Sequence, residues 1–211
     1  MNKVVECVLE KLSYDVFTDR DIAVLFAGSC NRRYALMKRA MQSGNILRLK
    51  KGVYCLEKKY QRHGLNMWHL AQLLYGPSYV SLESSLSYHG WIPEGVFMTT
   101  CVSIKRSVNY KTPLGRFAYH HIPQNSFYAE VERVVTGEEI YFMARPLKAL
   151  CDYVYVHKKK WRSVAPLIES LRIDEDLIAQ VTPEEYDSVY DNYRGERLRS
   201  FILGMRKEMQ V

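Results

Sequence analysis

At Gly44 the spacing of apolar residues changes from about 3.6 to about 2 per repeat, and this limits what the first third of the chain can become. Before it, Val4, Val5, Val8, Leu9 and Leu12 recur at helical spacing, as do Ile22, Leu25 and Phe26. Leu36, Met37, Ala40 and Met41 repeat the pattern a third time. After it, Ile46-Leu47-Arg48-Leu49 and Val53-Tyr54-Cys55-Leu56 flank Lys50-Lys51-Gly52, in which Gly supplies the positive φ of a hairpin turn. Three helices followed by a hairpin are therefore expected.

The helix ends are marked as well. Thr18 can cap the amide of Asp21, and Asp19 and Asp21 suit the positive end of the second helix. That helix should stop near Gly28, and Ser29-Cys30-Asn31 opens a third helix over 32–43, closed by Gly44. With its apolar residues turned inward, this helix leaves Arg32, Arg33, Lys38, Arg39 and Gln42 outward. The order matches a winged helix-turn-helix, whose second helix lies in the major groove.

Charge follows the same division. Residues 29–62 hold ten Lys and Arg against the single acid Glu57, a net +9, whereas the 211-residue chain totals +7. Residues 65–211 hold 17 cations and 17 acids. Clustered cations attract phosphates and release counterions on binding, so a nucleic-acid contact, with duplex DNA as the partner, is expected at this end. Asn31, Arg32, Arg33 and Tyr34, at the start of the third helix, are the candidates for base edges. Lys38, Arg39, Arg48, Lys50 and Lys51 are the candidates for backbone phosphates. The neutral remainder is not expected to be an extended nucleic-acid surface.

The fold class expected is α+β: a winged helix-turn-helix over residues 1–62, then a mixed α/β domain over 63–211 that ends in helices. The polar run 57–64 reads as a linker or wing exit. Beyond it come a helix from Asn66 to Gly76-Pro77, an extended piece at Tyr79-Val80-Ser81, and a Ser-capped helix over 81–89 stopped by Gly90. Strands are expected over 96–104, 115–122 and 139–143, and helices over 146–156, 164–171, 183–190 and 195–209. Pro146 and Pro183 suit first turns.

Other chemistry finds little footing. The five cysteines lack paired spacing, so reduced, mostly buried thiols are expected rather than a zinc site or disulfides. No apolar run approaches the ~20 residues of a membrane span, and the N-terminus lacks a signal-peptide core, so no membrane partner and a cytoplasmic location are expected. Glu83, His89, His120, His121, Glu138, Glu139 and Asp152 are the polar residues that could serve catalysis. Glu83 and His89 are six apart and miss the i, i+4 spacing of a metal pair, while His120 and His121 point to opposite faces of a strand. No nucleophile elbow or phosphate-binding glycine loop is present. No catalytic residue, metal or cofactor is expected; the alternatives are a nucleic-acid-processing enzyme with a winged-helix delivery domain, or a winged-helix protein-interaction module.

Three blocks carry a family resemblance: Leu49-Lys50-Lys51-Gly52-Val53-Tyr54, Tyr79-Val80-Ser81-Leu82-Glu83-Ser84-Ser85-Leu86-Ser87-Tyr88-His89-Gly90, and Arg145-Pro146-Leu147-Lys148-Ala149-Leu150-Cys151-Asp152. In this order, over residues 17–155, the chain resembles the AbiEi abortive-infection antitoxins. The resemblance implies a bacterial two-gene type IV toxin–antitoxin system. Its N-terminal winged helix would repress the shared promoter through repeated operator sites. Its C-terminal domain would counter a nucleotidyltransferase-like toxin without forming a stable complex with it. The DNA-facing role would fall on Arg32, Arg33, Lys38, Arg39, Lys50 and Lys51, and the 81–90 and 145–152 blocks would belong to the core of the antitoxic domain.

Overall fold

The computed structural model describes residues 2–137 and 139–210; Glu138, one member of the Glu138–Glu139 pair, lies outside the described residues. The protein is a mixed α+β structure. Its first part runs α1 (Lys3–Lys11), β1 (Val16–Thr18), α2 (Asp19–Leu25), α3 (Cys30–Gln42), β2 (Ile46–Lys50) and β3 (Val53–Leu56). The caps explain the helix starts. Thr18 and Asp21 form a reciprocal capping box, and Ser29 Oγ accepts from the Arg32 amide at 3.3 Å. Gly44 (φ +60) and Gly52 (φ +78) take the left-handed conformations that end α3 and turn the hairpin.

Periodicity did not reveal β1. It pairs antiparallel with β3, so the small sheet has the order β1-β3-β2. Val4, Val5, Val8, Phe17, Ile22, Met37, Ala40, Ile46, Tyr54 and Leu56 close the core between this sheet and the three helices. Of the four α3 residues expected inward, Met37 and Ala40 are fully buried, while Leu36 and Met41 pack at the margin. Burying each large aliphatic or aromatic side chain contributes about 1.5–3 kcal/mol.

The second part is built on a six-stranded sheet with the order β6-β7-β5-β4-β9-β8. The strands are β4 (Ser78–Val80), β5 (Met98–Ser103), β6 (Val108–Thr112), β7 (Gly115–His121), β8 (Val131–Thr136) and β9 (Glu139–Ala144). Pairs β5–β7 and β4–β9 are parallel, and the other pairs are antiparallel. Strands β6 and β8 sit at the two edges, and sequence reading missed both: β6 is a five-residue run in which Asn109 and Lys111 alternate with Val108 and Tyr110, and β8 places Glu132 and Arg133 side by side, breaking the period of 2.

Helices cover both faces of this sheet. On one, α4 (Met67–Leu74) packs Leu70, Ala71 and Leu74 against Phe117, Tyr119, Tyr141 and Met143. On the other lie α5 (Leu82–Tyr88), α6 (Pro146–Val156), α7 (Ala165–Leu171), α8 (Glu175–Ala179), α9 (Pro183–Asn192) and α10 (Glu196–Met209). The five-residue α8 is too short to show a period and was also missed.

The segment at 57–64 is not a free linker. It forms a 3-10 turn, Lys58–Tyr60, after which Arg62 reaches back to α1. Its guanidinium pairs with Asp15 at 2.8 Å and donates to the carbonyls of Val8, Leu9 and Leu12, closing the helix end. The apolar core also crosses the expected boundary at residue 62. Leu49, Val53 and Cys55, on the face of the small sheet opposite Tyr54 and Leu56, belong to the cluster around α4 and β7. No helix among the described residues is long and apolar enough to cross a membrane.

Candidate nucleic-acid interface

α3 is a 13-residue helix with two chemically distinct sides. Met37 and Ala40 hold it to the core, which turns Asn31, Arg32, Tyr34, Lys38 and Arg39 to solvent. Tyr34 is 68% exposed. Arg48 and Lys51, in the following hairpin, are exposed as well.

Acids lie nearby but are occupied. Asp21 Oδ2 accepts from the amide and hydroxyl of Thr18 at 2.7 and 2.8 Å, and its Oδ1 accepts from Tyr14. The Asp19 carboxylate lies close enough to the Tyr54 hydroxyl to act on it. Burial and then this carboxylate raise the Tyr54 hydroxyl above the ordinary tyrosine range. A backbone bond from the Asp19 amide to the Gly52 carbonyl, 3.1 Å, ties the hairpin turn to the start of α2.

Two of the candidate residues stand differently from expectation. Arg33, read as a base-edge side chain, folds back on its own turn. Its Nη1 donates to the Gly28 carbonyl at 2.6 Å and its Nη2 approaches Cys30 Sγ at 3.6 Å, so in this conformation it braces the α2–α3 turn. Lys50, read as a phosphate contact at the hairpin tip with Arg48 and Lys51, points instead toward the six-stranded sheet. Strand register shifts between Arg48 and Lys50, so Arg48 pairs with Tyr54 on the helix side while Lys50 pairs with Val53 on the opposite side. A bulge of this kind re-aims one side chain, and no period read from sequence locates it. The Lys50 Nζ then donates to the Leu74 carbonyl at the end of α4 and lies 5.5 Å over the Tyr110 ring.

Of the polar residues considered for catalysis, Glu83 and His120 lie close enough for their charges to interact, whereas His89 is drawn to a separate partner. Glu83 Oε1 lies 2.8 Å from His157 Nε2, and His89 Nε2 lies 3.1 Å from the Ala144 carbonyl. His120 is half-buried and His121 exposed, as their places on opposite faces of β7 require. Asp152, in the third of the blocks, is 0% exposed. It pairs at 2.9 Å with Lys148, one turn earlier on α6 and equally buried. All three ammonium donors of Lys148 are used, on Asp152 Oδ1, Gln124 Oε1 (2.6 Å) and Tyr193 OH (2.6 Å). Tyr79 and Ser81 donate to Asp152 Oδ2 at 3.0 and 2.7 Å.

Ser81 therefore does not cap α5 with its side chain, as the sequence led us to expect; its hydroxyl is committed to Asp152. Burial, only partly offset by Asp152, lowers the Lys148 ammonium below its ordinary range, and burial also raises the Tyr79 and Tyr193 hydroxyls. Sequence reading did not pick out Lys148, Gln124 and Tyr193 as a set, because their partners lie on three different elements. The only signal was the i, i+4 spacing of Lys148 and Asp152, which solvated helix faces also show.

The cysteines are all free. Cys55, Cys101 and Cys151 are buried, Cys7 is half-buried and Cys30 is exposed at the start of α3. Burial pushes the Cys55 thiol up to about 12. Among the described residues, no group of three or more His, Cys, Asp or Glu is gathered as a metal ion would need. Compared with known proteins, the chain matches no family model and has no significant match among curated sequences.

Proposed function

We propose that the protein is a DNA-binding transcriptional autorepressor that also serves as the antitoxin of a bacterial type IV toxin–antitoxin system. The observation that carries the DNA half is the outward face of α3. There Asn31, Arg32, Tyr34, Lys38 and Arg39 stand exposed on one helix, and Asp21 is held in the capping box of α2. In this reading α2, the turn at Gly28 and α3 act as a helix-turn-helix, and β2–β3 is the wing. Asn31, Arg32 and Tyr34 meet base edges, with Arg33 joining them once it leaves the Gly28 carbonyl. Lys38, Arg39, Arg48 and Lys51 meet phosphates. The antitoxin half rests on the resemblance of the three blocks to AbiEi antitoxins. Its support is that the second and third blocks meet in one core, where Tyr79 and Ser81 both donate to Asp152.

The test of the DNA half is binding to duplex DNA from the chain's own upstream region, followed across salt. A log–log slope of several units is expected, with about −0.9 for each phosphate contact. Replacing Arg32, Lys38, Arg48 and Lys51 together by Ala should lower affinity on the order of 10²-fold or more. A flat salt dependence, or full binding by the quadruple variant, overturns the DNA reading. The same variant, co-expressed with a nucleotidyltransferase-like toxin encoded beside it, should still restore growth while losing repression. No rescue by the wild-type chain overturns the antitoxin half alone.

A further inference from the structure

The balanced charge of the second part hides an uneven distribution. Residues 95–129 carry Lys105, Arg106, Lys111 and Arg116 and no acid. The first two occupy the β5–β6 connection, and β6 is the strand that contacts β2 of the hairpin. Lys50, turned by the bulge, meets this surface.

The local geometry gathers cations around two rings. Tyr75 and Tyr110 lie edge to face with centroids 5.9 Å apart. Lys50 Nζ lies 5.5 Å over Tyr110, and Lys105 Nζ lies 5.3 Å over Tyr75. The Tyr75 hydroxyl donates to the Arg106 carbonyl at 3.1 Å, fixing the connection at that residue. Lys50 and Lys105 are close enough to repel: burial first, then the charge of Lys105, lowers the Lys50 ammonium. No carboxylate forms an ion pair with Lys50, Lys105 or Arg106 among the described residues.

Capping accounts for part of this arrangement. Lys50 donates to the Leu74 carbonyl and Lys105 to the Gly76 carbonyl, both at the negative end of α4. Each ammonium keeps two further donors. Capping does not account for Arg106, whose charge acts on the hydroxyl of Tyr110 beneath Lys50. Like charges held together without a counter-ion are stabilised by a bound anion.

We infer that Lys50, Lys105 and Arg106 form a phosphate site that takes the DNA backbone beyond the stretch met by α3 and the hairpin. Lys50 is adjacent in sequence to Lys51 at the hairpin tip, so the site continues the track of phosphate contacts onto the six-stranded sheet. The inference rests on the DNA reading proposed above and lengthens its footprint.

The experiment compares the full chain with its Lys105→Gln/Arg106→Gln variant. Glutamine retains an N–H for the Gly76 carbonyl, and equal thermal midpoints establish that the fold is kept. Binding to duplexes of about 12 and about 30 base pairs is followed across salt. The variant is expected to bind the longer duplex with a slope shallower by about 1–2 units, each lost phosphate contact removing about 0.9. On the short duplex it should match the wild type. An unchanged slope on the longer duplex, with normal binding by the wild type, overturns the site and leaves the DNA reading standing. Failure of the wild type to bind either duplex overturns both. A calorimetric titration with inorganic phosphate separates a free anion from the backbone. Saturable phosphate binding lost in the variant, with the DNA slope unmoved, assigns the cluster to a free anion and also overturns the inference.

Discussion

Helices α3 and α6 both carry cations, under opposite conditions. On α3, Arg32, Lys38 and Arg39 are exposed while Arg33 folds back on its own turn, and the helix is held by Met37 and Ala40 on its other side. On α6, Lys148 and Asp152 are fully buried, and every donor of the ammonium is consumed. Burying a charge costs several kcal/mol unless a full set of partners meets it, so a buried pair binds the structure together but is closed to any ligand. An exposed cation contributes little to stability and remains free for a partner. Position on the helix, and not residue type, separates the two roles.

The comparison breaks most sharply at Asp152. Asp152→Ala leaves a buried ammonium unpaired and should destabilise the fold by about 3–5 kcal/mol in urea unfolding. The double change Lys148→Met/Asp152→Leu should recover much of that loss, because an apolar pair needs no counter-charge. An Asp152→Ala variant as stable as the wild type would contradict the role given to the buried pair.

A smaller effect is expected from pH. Burial opposes ionisation of Glu83, but hydrogen bonds from His157 and from its own backbone, together with the charges of His157 and His120, hold its carboxyl below the ordinary range. The unfolded chain then takes up the proton first, so this stabilisation is present above about pH 4.3 and is lost as pH falls through the folded value. Burial lowers His89 and His120 as well, so their stabilising effect is also lost on acidification, beginning near pH 6.5. Stability should therefore decline in two stages between about pH 7 and pH 3, and Glu83→Gln should remove the lower stage. An acid limb unchanged in that variant contradicts the assignment.

The smallest effect belongs to α3. Lys38→Ala/Arg39→Ala should shift unfolding stability by no more than about 0.5 kcal/mol. A large loss would mean that these side chains are part of the scaffold, and the contrast with α6 would fail.

Much of the local architecture was legible beforehand. The Thr18–Asp21 box, the Ser29 cap, the glycines at 44 and 52 and the prolines that open α6 and α9 are local devices, and each acts where its sequence signature places it. The exposed candidates Asn31, Arg32, Tyr34, Lys38, Arg39, Arg48 and Lys51 were legible in the same way, since burial on a helix or hairpin follows from periodicity. Lys50 was not, because a bulge shifts the period by one residue and leaves no compositional mark. Asp152 was not either. Its surroundings come from β4, α6 and the loops around Gln124 and Tyr193, which are brought together only by the packing of helices on the sheet.

The sequence by itself therefore determined the helices, the hairpin and the excess of positive charge in the first third, because each depends on residues within a few positions of one another. Tertiary structure alone decided which charges are free. Solvation of a side chain depends on what distant segments cover it. That turned Lys50 toward Lys105, sealed Lys148 with Asp152 and left the outer face of α3 open to solvent.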